Sequence, residues 1–120
     1  MLGVARFKSG LLAHFFDAFT CRYTRTAFEA HGSEGSLFGV DCMTQRPIGT
    51  VTLRNAQGDA LLPLAQENLY ERSVRAFHRA IAGEGAPSAS GEDGVRAMAL
   101  AIATLEAAHS GRQVAVDPGL

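Results

Sequence analysis

The groups in this 120-residue chain that could do chemistry are four histidines, two cysteines and twelve acids, so their spacing comes first. A metal site needs side chains that converge on one point. His14 and Asp17 are three apart on an expected strand, where successive side chains alternate between faces, so they point to opposite sides. His31 sits at a strand end beside a turn. His78 falls among Arg75 and Arg79 on the polar side of an expected helix, and His109 comes in the last turn of another, where a cation complements the negative helix end. No metal site is expected. Cys21 and Cys42 are too far apart for a Cys-x-x-Cys site and too few for a disulfide framework, so both read as free thiols in a reducing compartment. Arg25, Glu29 and His31 alternate onto one face of their strand and could form a polar group at a binding surface, with a plain cross-strand ion pair as the simpler account.

The glycine patterns carry no cofactor site either. Gly83-Glu84-Gly85 follows a helix, and position 88 is Ser, whereas a dinucleotide fingerprint needs its third glycine there and must open a helix after a strand. It reads as a linker between helices. Gly32 and Gly35 frame Ser33 without spelling a nucleophile elbow, and a hairpin turn explains them. No catalytic, cofactor-binding or metal residue is assigned, and an independent hydrolase or isomerase built on His14 or His31 has no supporting motif.

The elements that must position these residues fall into two runs. Residues 4–8, 11–20, 24–31, 36–41, 48–54 and 60–64 read as short strands punctuated by turn residues, with 113–116 as a last short strand before Asp117-Pro118-Gly119. In the 11–20 strand, Leu11, Ala13, Phe15, Asp17 and Phe19 share one face, and Leu12, His14, Phe16, Ala18 and Thr20 share the other. Both faces carry large apolar groups. A helix then runs from about Asn68, with Tyr70, Val74, Phe77 and Ile81 at helical spacing and Glu71, Arg72, Arg75, His78 and Arg79 opposite, predicting one side laid on a core. A second starts at its Ser90 cap, has acids at Glu92 and Asp93, and is apolar nearly all round from Ala97 to Ala103, which predicts the deeper burial of the two. Gly111 supplies its left-handed stop.

Strands followed by helices predict an α+β domain, a largely antiparallel open-faced sheet with two C-terminal helices covering one face, and the whole chain as a single domain. The uncovered apolar face is expected to pair with another copy, giving a homo-oligomer, most simply a dimer. On polarity, Phe15 and Phe19 are assigned to the helices and His14, Phe16 and Thr20 to the partner. Together with Arg25, Glu29 and His31 these are the candidate interface or binding residues. Lys and Arg total 11 against 12 acids, with the arginines scattered, so nucleic acid is not an expected partner. The apolar run 11–16 is broken by His14 and stopped by Asp17, too short and polar for a signal or membrane segment, and the reading is a cytoplasmic protein.

The stretch Phe28-Glu29-Ala30-His31-Gly32-Ser33-Glu34-Gly35-Ser36-Leu37 and the closing words Ser90-Gly91-Glu92-Asp93-Gly94 and Ser110-Gly111-Arg112-Gln113-Val114 together resemble the C-terminal domain of the Gfo/Idh/MocA oxidoreductase family. The likeness covers nearly the whole chain. It implies NAD(P)-dependent chemistry on sugars, polyols and their relatives, but only in a full-length member, because the family's Rossmann domain, its Glu-Lys-Pro motif and its Asp-x-x-x-His pair have no counterpart here. It further implies that Met1 falls inside the family's C-terminal domain, and that the sheet mediates oligomer contacts and helps wall a substrate site. Two readings result. One is the sheet and oligomerisation portion of such an enzyme, truncated or separately encoded, binding no cofactor and inactive alone. The other is a stand-alone homodimeric binding module that uses the open sheet face for a small ligand or protein partner.

Overall fold

Turn chemistry sets the first hairpin. In the computed structural model, which describes residues 1–117 and 119, β1 (Leu2–Arg6) pairs antiparallel with β2 (Leu12–Phe16), Leu2 opposite Phe16 and Arg6 opposite Leu12. The Gly10 N–H donates to Phe7 O at 3.0 Å and the Phe7 N–H to Leu11 O at 2.9 Å, closing the loop. Gly3 makes room for its neighbour across the strands. A Cβ there would collide with the tip of the Phe15 ring, so a side chain at this position would push the ring off β1.

The remaining strands form a second antiparallel sheet in the order β3 (Ala27–His31), β4 (Ser36–Val40), β5 (Thr50–Asn55) and β6 (Gly58–Leu62). The Gly32 N–H donates to Gly35 O at 2.9 Å in the first turn, and the Gln57 N–H to Asn55 Oδ1 at 2.9 Å in the last. Helix α1 (Leu69–Ile81) is capped by Asn68, whose side chain accepts from the Tyr70 N–H. Helix α2 (Gly91–Ser110) opens on a full capping box, Ser90 and Asp93 each accepting the other's backbone N–H, and stops at Gly111 with φ 65.

The chain divides into two compact units. Met1–Arg22 with Ala89–Leu120 holds β1, β2 and α2, and Tyr23–Ser88 holds β3 to β6 and α1. The α+β class and the antiparallel pairing stand as expected, distributed over two open sheets. The 11–20 strand ends early: the Asp17 N–H donates to Met1 O at 2.8 Å as the last pairing, and Phe19 and Thr20 lie in a bend outside the strand. Residues 113–116 are not a strand, and Pro118 of the expected closing turn lies outside the described residues.

Burial differs most from expectation. The stripe on α1 stays exposed, Tyr70 at 61%, Val74 53%, Phe77 56% and Ile81 70%, and Ala76 alone on that helix is buried. On α2 only Ala103 is buried, while Met98 and Ile102 are exposed. Apolar character was correctly read on both helices, but burial needs a surface opposite, and among the described residues neither stripe is covered within its own unit. Two separately folded bodies of half this 12.7 kDa mass would expose about 7,500 Å² by the usual relation of area to mass. The chain exposes 10074 Å². Among the described residues, no helix is long and apolar enough to cross a membrane.

Candidate functional site

The four-stranded sheet sorts its side chains by chemistry. Pairing sets Glu29 opposite Phe38, His31 opposite Ser36, Phe38 opposite Thr52, Ser36 opposite Arg54 and Arg54 opposite Asp59, so these seven residues share one face. The other face holds Phe28, Ala30, Leu37, Val51, Leu53, Ala60 and Leu62. One side of this sheet gathers the polar groups around Phe38, with Ala27, Val40 and Leu61 beside them; the other is apolar.

On the polar face His31 is held between two partners. Its Nδ1 lies 2.9 Å from Ser36 Oγ and its Nε2 3.2 Å from Glu29 Oε2. The imidazole also meets Phe38 edge-on, centroids 5.7 Å apart at 69°. From the far side the Arg54 guanidinium sits over the Phe38 ring, 4.9 Å from its centroid, and grips Asp59 through two hydrogen bonds, Nε to Oδ1 at 2.8 Å and Nη2 to Oδ2 at 2.7 Å. That hydrogen bond, with the attraction of the charge, holds the Asp59 carboxyl below the usual aspartate range and raises the arginine in return. The order Glu29, His31, Ser36 has the distances of a proton relay. However, the His31 and Glu29 side chains are 59% and 54% exposed, and water at that acid removes the low-dielectric setting a nucleophile needs. Hydrogen-bonded recognition across a flat surface is what the face can do.

Of the sequence candidates, Glu29 and His31 meet on this face, Arg25 lies outside it, and His14, Phe16 and Thr20 belong to the other unit. Arg25 precedes β3 and pairs off the face with Asp41, donating from Nε at 2.9 Å and from Nη2. Asp41 has φ 52, its N–H donates to Thr26 O at 2.8 Å, and its side chain is only 16% exposed, so the pair pins the start of β3 to the end of β4. His14 and Phe16 lie on the exposed side of the first hairpin with Leu2, Val4, Arg6 and Leu12. Phe15 is on its half-buried side with Gly3. Thr20 lies outside the sheet, as does Phe19, which is fully exposed. Sequence reading missed Ser36, Phe38, Arg54 and Asp59. The signal was Arg54 and Asp59 flanking a hairpin turn at matching distance.

The start of α2 does not suit the pyrophosphate of a dinucleotide. The N-terminus of α2 is filled by its own capping box, and Glu92 and Asp93 in that first turn are held ionised, below the usual range, by hydrogen bonds to backbone N–H groups and to Ser90. Those charges repel a pyrophosphate where the helix would otherwise attract one. Among the described residues, no three histidines, cysteines or acids group to hold a metal ion.

Comparison with known proteins places these elements in a lineage. The chain is 52% identical over all of its 120 residues to a 1,5-anhydro-D-fructose reductase of Ensifer adhaerens, and spans 36% of that relative's length. The family model of an oxidoreductase family's C-terminal alpha/beta domain matches residues 4–116. With nearly every strand and both helices inside that match, the chain belongs to the Gfo/Idh/MocA oxidoreductase family, as sequence of its C-terminal α/β domain.

Proposed function

We propose that the chain serves as the sheet and interface portion of an NAD(P)-dependent oxidoreductase acting on a sugar or polyol, the carbonyl of an anhydro-sugar being the first substrate to try. The observation that carries this is the alignment of the entire chain with 36% of a reductase at 52% identity. The chemistry of the chain agrees. Hydride transfer needs a nicotinamide held against the substrate and a proton donor beside the reacting oxygen, and the helix N-terminus that could have faced a pyrophosphate carries acids instead. In this reading the remaining residues of the enzyme hold the cofactor, the open sheet faces oligomer contacts, and its polar side helps wall the substrate.

The test is an assay of the purified 120-residue chain with NADH or NADPH and 1,5-anhydro-D-fructose, read at the nicotinamide absorbance. The expected result is no turnover above blank, restored when the chain is joined to a cofactor-binding domain of the family. Turnover by the chain alone overturns the proposal.

A further inference from the structure

We propose that the arginine side of α1 is an anion groove that takes the phosphate group of a small soluble molecule. Arg72, Arg75 and Arg79 recur at i, i+3 and i+7 and so share one side of the helix. With Ala65, Glu67 and His78 they line a groove of about 660 Å³ within the unit Tyr23–Ser88.

The groove already holds an anion, one of its own. Glu67 Oε1 is 3.7 Å from Arg72 Nη1 and Oε2 is 2.8 Å from Arg75 Nη2, so two guanidinium groups converge on a single carboxylate. Arg75 Nη1 also reaches Glu71 Oε2 at 3.6 Å. Among the described residues no acid faces Arg79 or His78 within ion-pair distance. Three guanidinium groups against the two carboxylates of Glu67 and Glu71 leave a positive charge at the groove, in a chain whose net charge is -1.

Guanidinium forks match phosphate oxygens in two-armed contacts. A planar carboxylate here engages two arginines, whereas a tetrahedral dianion presents oxygens to three. The cationic side chains span barely two turns of one helix, which suits a phosphate monoester or pyrophosphate rather than a nucleic-acid backbone. Glu67 then acts as a resident competitor that keeps the groove ordered and sets its affinity. The inference is independent of the oxidoreductase reading.

Sodium pyrophosphate titrated into the full chain at fixed ionic strength, followed by calorimetry and arginine side-chain NMR, tests it. The expected result is saturable binding at one site with shifts at Arg72, Arg75 and Arg79. Arg79→Ala should weaken binding about tenfold, the loss of one charge-assisted contact. Glu67→Gln, which frees two guanidinium groups, should tighten it, and Arg46→Ala, outside the groove, should leave it unchanged. Because the two groove variants move affinity in opposite directions, misfolding cannot imitate the result. Non-saturable shifts, equal binding by Arg79→Ala, or weaker binding by Glu67→Gln would overturn the proposal. So would retention on vesicles containing phosphatidic acid without any pyrophosphate binding, which would mean a lipid headgroup instead.

Discussion

Arg54 does two things at once on the polar face, and they can be separated by substitution. Its fork holds Asp59 while its plane rests on Phe38. Arg54→Lys keeps a charge but loses the fork and the stacking, so the Asp59 carboxyl should titrate closer to its ordinary range, and Arg54→Ala should return it there fully. The sign follows from the lowered folded value: the pair's stabilisation is fully present above the ordinary aspartate range and fades as pH falls through the lowered one. Carboxyl carbon NMR against pH reads both variants. Since both partners are exposed, the effect on global stability should be small, and a large loss in Arg54→Lys would mean the face has a role beyond this pair. Glu29 and His31 were legible in sequence because a period of two within one strand needs no partner. Arg54 and Asp59 carried the local signal of a hairpin pair, but their place beside Phe38 and His31 was not legible, because only the register across all three pairings aligns them.

The same distinction between local and non-local signals runs through the elements. Caps are local, and Ser90, Asp93 and Gly111 do what their identities suggest. Strand ends are not. Alternation along 11–20 continues past Phe16, but a strand persists only where another backbone answers it, and the last answer is at Met1. The cap also yields a measurable pH dependence. Asp93 is held below the usual range chiefly by the Ser90 N–H, so the α2 start is fully capped above that range and loosens as pH falls through the lowered value. Ser90→Ala removes one half of the box and should cost about 1 kcal/mol. Amide exchange in the first turn of α2 should rise in that variant at neutral pH, and the wild type should approach it in acid. Unchanged exchange would mean that packing rather than the cap holds the helix start.

At the scale of the whole molecule, surface area decides what kind of object this is. The chain exposes about 2,500 Å² more than two independent bodies of its total mass should. That excess is as large as what obligate interfaces cover. Exposed stripes on α1 and α2, and the Leu2, Val4, Leu12 and Phe16 side of the first hairpin, are the apolar part of it. A chain in this condition should not stay dispersed. Sedimentation from micromolar to millimolar concentration should show mass rising toward a dimer, as the interface reading requires. The polar face of the four-stranded sheet carries both signs, Glu29 and Asp59 with Arg54, so a two-fold copy can oppose unlike charges across it. His31→Glu sets a second acid beside Glu29 on both protomers. At half-exposed positions it should leave the fold intact, weaken dimerisation, and do so most at low salt, where like charges are least screened. If His31→Glu associates as the wild type does at every ionic strength, the contact lies on the apolar surfaces instead, and Phe16→Glu and Phe77→Glu become the variants that must break it.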